Sequence, residues 1–303
     1  MYPYPLITFP DGSGISLYEI LIVVGVIAAI VLFRILADRR NLPAKLQNLI
    51  LIGAVVSFIV GYFFAVLFQA IYDIAERGAF IIDKNTGATF YGGFIGGAAC
   101  MLLVYFVGGY LLFRRQNNEH LRWFPSFINI AAACVPLAHG FGRIGCLFGG
   151  CCYGMETDAW FGIPMDIGVL DHVYVKVIPT QLFEAIFLFA LAAFLIWRNW
   201  KGKGFCLPIY LIAYGVWRFC IEYLRDDDRG QTFLSFLTPS QLTAVILVLV
   251  GCALLAAYYI ITRKKGKAIF EPPLPVGKVA AAAEKEQSSA DEPIPNDDTG
   301  EEK

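Results

Sequence analysis

Seven apolar runs recur along the chain, at about 15–36, 46–74, 89–113, 126–149, 179–197, 204–224 and 239–262, each closed off by a polar stretch. A helix rising 1.5 Å per residue needs roughly 20 apolar residues to cross a hydrocarbon core of about 30 Å, and every run is near that length or longer. The run at 179–197 is the shortest. The pattern predicts an all-α integral membrane protein with seven transmembrane helices. Composition agrees, with 57% hydrophobic and 16% charged residues and a mean hydropathy of +0.61. A soluble α/β enzyme seldom buries elements of more than about a dozen uncharged positions.

The net charge of −1 matters less than where the charges fall. Arg34, Arg39, Arg40 and Lys45 follow the first run, Arg114, Arg115 and Arg122 the third, Arg198, Lys201 and Lys203 the fifth, and Arg263, Lys264, Lys265 and Lys267 the seventh. The alternate loops carry Asp73, Glu76 and Asp83, then Glu156, Asp158, Asp166 and Asp171, and the first 14 residues hold no Lys or Arg. The positive-inside rule then puts the N-terminus outside and the C-terminus in the cytoplasm. The opening "MYPYPLITFPDGSGIS" has no basic stretch and no apolar core before Ile15, so it does not read as a cleaved signal. The expected division is an outer segment at 1–14, a membrane domain at 15–262 and a cytoplasmic tail at 263–303. From about Phe270 the tail turns to prolines, an alanine run and the acidic "DEPIPNDDTGEE", too little apolar surface to offset the entropy of ordering, so disorder is expected. No internal repeat or inverted pair of halves is evident, which counts against a secondary transporter.

Ionisable groups inside spans are costly, and each is a functional candidate unless it snorkels to an interface. Tyr18 and Glu19 open the first span; Tyr91, Gly92, Gly93, Gly96 and Gly97 open the third; His139 and Arg143, four apart on one helical face, close the fourth. Gln181 and Glu184 open the fifth, and Arg218, Glu222 and Arg225 close the sixth. With alternating span directions, all these positions fall at one depth, in the outer leaflet. Arg218 and Glu222 have the spacing of an intrahelical ion pair, and the glycines that of close helix packing. Two arginines on different helices are not stabilised by apolar packing, however, and call for an anion, which at that depth is a phospholipid headgroup.

The stretches "GRIGCLFGGCCYG" (142–154), "FYGGFIGG", "PTQLFEA" and "RFCIEYLR" together resemble the prolipoprotein diacylglyceryl transferases, bacterial inner-membrane enzymes of seven spans, over about 15–262 and in the family's motif order. The resemblance implies transfer of a diacylglyceryl group from phosphatidylglycerol to the thiol of a lipobox cysteine, the first step of lipoprotein maturation. Arg143 matches the arginine of the signature, Gly142, Gly145 and Gly154 its glycines, Arg218 and Glu222 its later arginine–glutamate pair, and Tyr18 the tyrosine of the first span. The chain departs from the better-known pattern in two respects: Cys146 stands in place of an asparagine and Cys151 near a missing glutamate, and Tyr91 stands where many members have histidine.

That reaction needs positive charge on the departing phosphate and a base for the thiol. Arg143 and Arg218 suit the first task. His139 is placed first for the second, ahead of Tyr91 and Glu222, because an imidazole titrates near neutrality. Tyr18, Gly92, Gly93, Gly142, Gly145, Gly154, Gln181 and Glu184 complete the expected substrate site. Cys100, Cys134, Cys206, Cys220 and Cys252 lie singly within spans and read as small packing residues. Cys146, Cys151 and Cys152 face the oxidising side. A disulfide, zinc binding with His139 and a lipid-carrier role all stay open for them, although C-x4-C-C lacks the paired spacing of common zinc sites. No metal and no cofactor is expected. The expected partners are phosphatidylglycerol, preprolipoprotein signal peptides and membrane lipid, with no nucleic acid. The outer stretch 155–178 suits short strands or an interfacial helix capping the site. Alternatives are a related transferase with another acceptor, a lipid transporter, or a redox protein built on the cysteines.

Overall fold

The computed structural model describes residues 6–8, 14–78, 80, 82, 86–87, 89–116, 118–166, 173–225 and 237–266. Helix α1, Leu17–Arg39, opens with a capping box in which Ser16 and Glu19 satisfy each other's backbone N–H groups. Helix α2, Ala44–Arg77, stops at Gly78, which takes the left-handed conformation (φ 68°) that glycine adopts without strain. Helix α3, Phe90–Leu103, runs through one π turn, Val104–Gly108, into α4, Gly109–Phe113. The remaining helices are α5, Glu119–Phe148, α6, Thr180–Trp200, α7, Cys206–Ile221, and α8, Pro239–Lys265. Two small antiparallel strand pairs accompany them: β1, Ile7–Thr8, with β2, Gly14–Ile15, ahead of α1, and β3, Ile163–Asp166, with β4, Tyr174–Val177, between α5 and α6.

Among the described residues six helices are long and apolar enough to cross a membrane, so the chain is a multi-pass membrane protein. The remaining expected span, the sixth, is α7, which has 16 residues, about 24 Å, and is prolonged by the three-residue 3-10 turn Glu222–Leu224. Helix α5 begins seven residues before the apolar run predicts: Pro125 sits inside it instead of marking its start, and its first turns carry Glu119, His120 and Arg122. The described part of the stretch 155–178 carries the antiparallel pair β3–β4, whose Met165 and Val177 bury against Leu147 of α5. Beyond Gly266 the tail lies outside the described residues.

Lipid tails are as apolar as leucine, so close backbone approach drives helix pairing. Between α2 and α3 a Cβ added at Gly61 would stand 3.0 Å from the Gly93 carbonyl, and one at Gly97 3.2 Å from that of Ser57. Helices α7 and α8 meet in the same way, at Gly215 against the Ala244 carbonyl and Gly251 against that of Pro208. The main apolar core lies towards the other end of the bundle from His139 and Arg143. There Leu36 of α1, Leu46 of α2, Tyr105 of the π turn, Ile130 of α5, Leu195 of α6 and Cys206 of α7 come together. A polar lock fixes that end: Asn129 Oδ1 accepts from the Cys206 N–H at 2.8 Å, Asn199 Nδ2 donates to the Asn129 carbonyl at 2.9 Å, and Arg40 donates to the Lys203 carbonyl at 3.0 Å.

Candidate active site

At the opposite end, the last turns of α5 and α7 meet the first turns of α1, α6 and α8. Arg143 Nε lies 3.1 Å from Oε2 of Glu184, whose side chain is completely buried. Tyr214 donates to the other carboxylate oxygen, Oε1, at 3.1 Å, so Glu184 is held from α5 and α7 at once. The His139 ring stands edge-on to Tyr214, centroids 5.4 Å apart, and the charges of Arg143, Glu184 and Arg218 all bear on its imidazole. One turn further along α7, Arg218 Nη2 pairs with Glu222 Oε2 at 2.7 Å and donates to Ser240 Oγ at 2.8 Å. The second oxygen of Glu222 accepts from Thr238 Oγ1 at 2.9 Å. Thr238 also caps α8, so Glu222 sits at the positive end of that helix's dipole.

A donor remains unspent in the second pair. Among the described residues, Arg218 Nη1 is buried without a hydrogen-bond acceptor, while Arg143, whose Nε faces Glu184, keeps 15% of its side chain exposed. Buried guanidinium N–H groups are costly to leave unmade, and a planar fork with free donors is what a phosphate oxygen binds. The helix face beside Arg143 is open: a Cβ at Gly142 would meet nothing within 4 Å.

The cysteine loop is sewn onto this end. Thr180 Oγ1 donates to the Cys152 carbonyl at 2.9 Å and Gln181 Nε2 to that of Cys151 at 2.6 Å. The Gly154 N–H donates to the Ile178 carbonyl and the Met155 N–H to that of Leu224, tying the loop to the entry of α6 and the exit of α7. Gly154 has no room for a side chain, since a Cβ would overlap the Leu224 carbonyl oxygen. Cys152 is left-handed (φ 64°), a conformation costing a non-glycine residue roughly 1–2 kcal/mol. Hydrogen bonds from Cys146 and Cys151, reinforced by Arg225, hold the Cys152 thiol well below its ordinary range. Cys151, on the giving side of the same network, is pushed up. Tyr18 lies over this loop's root: a Cβ at Gly145 would meet its ring at 3.1 Å.

Of the residues expected from sequence, the structure brings together Tyr18, His139, Gly142, Arg143, Gly145, Gly154, Gln181, Glu184, Arg218 and Glu222 at this end. Gly92 and Gly93 face α2 instead, against Phe64 and Ala65. Tyr91 lies in the first turn of α3, and its side chain is outside the described residues. Sequence reading missed Tyr214, Thr238 and Ser240. Tyr214 is four residues before Arg218 and so shares its face. "TPSQ" (238–241) is a capping box that sets Thr238 and Ser240 at the first turn of the last span.

Residues 6–257 match the family described as prolipoprotein diacylglyceryl transferase. The chain belongs to that family. Among curated relatives it is similar to phosphatidylglycerol–prolipoprotein diacylglyceryl transferase 2 of Clostridium perfringens, 34% identical over 84% of this chain and 94% of the relative. The Clostridium tetani enzyme named phosphatidylglycerol–prolipoprotein diacylglyceryl transferase is 30% identical over 79% of this chain and 92% of its own length. The Streptococcus pneumoniae enzyme of the same name is 31% identical over 83% and 95%. Membership makes the chain a transferase, and the arginine cluster is its candidate active site.

Proposed function

We propose that the chain transfers the diacylglyceryl group of phosphatidylglycerol to the lipobox cysteine thiol of preprolipoproteins, releasing glycerol phosphate. The observation that carries this reading is the gathering of two guanidiniums at one end of the bundle, the half-buried Arg143 of α5 and the buried Arg218 of α7, the latter with Nη1 unspent. The relatives' printed names supply the donor lipid and the acceptor class. Arg143 and Arg218 grip the phosphate and stabilise the charge that grows as its ester oxygen departs. Glu184 and Glu222 aim the two guanidiniums. His139, with both arginines beside it, takes the acceptor's proton. Tyr18, Gln181 and the loop glycines shape the headgroup's surroundings. An apolar groove of about 290 Å³ between α7 and α8, walled by Phe219 and Cys220 next to Arg218, suits part of an acyl chain.

In this reading the protein sits in the bacterial inner membrane with its N-terminus and active site on the outer side and its C-terminus in the cytoplasm. The alternation of basic loops supports that orientation. The test is reconstitution of the full chain into vesicles with phosphatidylglycerol or with phosphatidylethanolamine alone, plus a lipobox peptide. Thioether product only with phosphatidylglycerol is expected; equal product from either lipid refutes the donor assignment.

A further inference from the structure

The C-x4-C-C interval is a poor zinc signature as a linear spacing, but the chain turns back on itself at the end of α5. The sulfur atoms of Cys146, Cys151 and Cys152 all lie within 4.8 Å of one another. Three thiolates about 2.3 Å from a tetrahedral metal stand about 3.8 Å apart, so side-chain adjustments of an ångström or less close the set on one ion. The loop is held for this arrangement. Gln181 and Thr180 fix the carbonyls of Cys151 and Cys152, the Cys151 N–H donates to the Cys146 carbonyl at 3.2 Å, and Cys152 is left-handed. Arg225 hydrogen-bonds Cys152, and a cation there offsets the charge of a three-thiolate zinc centre. Among the described residues no fourth Cys, His, Asp or Glu joins the cluster. Three protein ligands and an open fourth position are the mark of a catalytic zinc site, whereas structural sites are closed by four.

The cysteine trio adjoins the proposed phosphate grip. Cys146 is three residues beyond Arg143 on α5, and the charge of Arg143 bears on both Cys146 and Cys152. We propose that Cys146, Cys151 and Cys152 bind one zinc ion, and that its fourth position takes the acceptor cysteine as a thiolate and presents it to the lipid. The proposal rests on the transferase reading above. The acceptor's S–H bond breaks as it coordinates, and His139 takes the proton and passes it to water. The zinc-held sulfur then gives an electron pair to the glyceryl CH2 carbon. A C–S bond forms, the C–O bond to phosphate breaks, and its electron pair leaves on the phosphate oxygen between Arg143 and Arg218. The product thioether is a weaker ligand than a thiolate and leaves the metal. No electrons are exchanged with an oxidant, and the zinc is regained.

The test uses the full chain, purified in detergent through a tag that binds no metal. Zinc is measured by elemental analysis, and cobalt is then exchanged into the site. Expected are one zinc per chain, its loss in Cys146→Ser, Cys151→Ser and Cys152→Ser, and a thiolate-to-cobalt absorption that changes on adding a lipobox peptide but not its cysteine-to-serine version. Transfer in phosphatidylglycerol vesicles should fall at least about 100-fold on metal removal and return with zinc. The cobalt spectrum of the unaltered chain keeps the proposal testable should the variants fail to fold. A chain that transfers diacylglyceryl with neither zinc nor cobalt bound overturns the proposal and leaves the transferase reading standing. So does a disulfide within the trio in the active enzyme. Bound cobalt indifferent to the thiol peptide overturns thiol delivery. A thiol-responsive metal site without transfer from phosphatidylglycerol supports the site and refutes the donor lipid instead.

Discussion

Arg143 has two candidate jobs, neutralising a buried carboxylate and binding phosphate, and a pair of substitutions separates them. In Arg143→Gln, Glu184 keeps, among the described residues, the Tyr214 hydroxyl as hydrogen-bond partner while remaining fully buried. Breaking a buried ion pair from one side costs about 3–5 kcal/mol, because the other charge is left uncompensated. Removing a donor aimed at transition-state charge costs about 2.7–4 kcal/mol in the barrier, or roughly 10²- to 10³-fold in rate. Both losses therefore appear in the single variant. Adding Glu184→Gln removes the stranded charge and leaves two amides able to hydrogen-bond each other and Tyr214, so most of the thermal stability should return. The phosphate contact does not return. Unfolding followed by intrinsic fluorescence in detergent, together with lipobox-peptide transfer in phosphatidylglycerol vesicles, reads the two quantities separately. A double variant that regains transfer to within about tenfold of the unaltered chain would refute the phosphate role and reduce Arg143 to a counter-charge.

Arg218→Lys should lower transfer by about tenfold or more while the protein still elutes as a folded species, since one ammonium does not reproduce a planar fork shared among Glu222, Ser240 and a phosphate. Asn129→Ala strands the buried Cys206 N–H at the far end of the bundle, which should cost about 1–3 kcal/mol in stability with KM for the peptide unchanged. Gly154→Ala forces the cysteine loop away from the Leu224 carbonyl and should destabilise by about 1–3 kcal/mol, read as a lower Tm, with transfer falling in step. Tyr214→Phe takes one hydrogen bond from the Glu184 carboxylate, worth about 1.5–3 kcal/mol, and should loosen Arg143 enough to lower kcat more than it raises KM.

The spans were legible because lipid imposes a length and a polarity that need no partner to be read. Helix ends were less so. The start of α5 escaped because Glu119, His120 and Arg122 broke the apolar run, and because Pro125, which the helix carries in its second turn, is rarely found inside a helix. The convergence of Arg143, Glu184, Arg218 and Glu222 followed from alternating span directions alone. Their pairing did not: the sequence joined His139 to Arg143 by spacing, whereas the carboxylate meeting Arg143 came from α6, 41 positions away. Cross-helix partners depend on helix rotation, which a chain of nearly uniform apolar faces leaves unspecified. The cysteines show the same limit in reverse. Their interval in the chain argued against a metal, but a helix terminus followed by Gly149 and Gly150 folds the interval back, so distance along the chain ceased to measure distance between sulfurs.

The two ends of the bundle carry different loads, and the difference bears on how lipids enter. At the Asn129 end, side chains from six helices and the π turn interlock, and the backbone groups of Asn129, Asn199, Lys203 and Cys206 are tied across loops. At the arginine end the helices are joined through charges, a capping box and a glycine-rich loop, with open space beside Gly142. A diacyl lipid must arrive sideways from the bilayer and a signal peptide from another direction, and both products must leave. Apolar interlocking at the reacting end would resist each of these movements, since packed cores rearrange only in discrete steps. In the proposed reading, polar contacts whose partners a phosphate can replace would let the site open and close around its substrates, while the interlocked far end holds the helices in register. Loosening that far end, as Asn129→Ala does, should therefore cost stability without altering the choice of lipid.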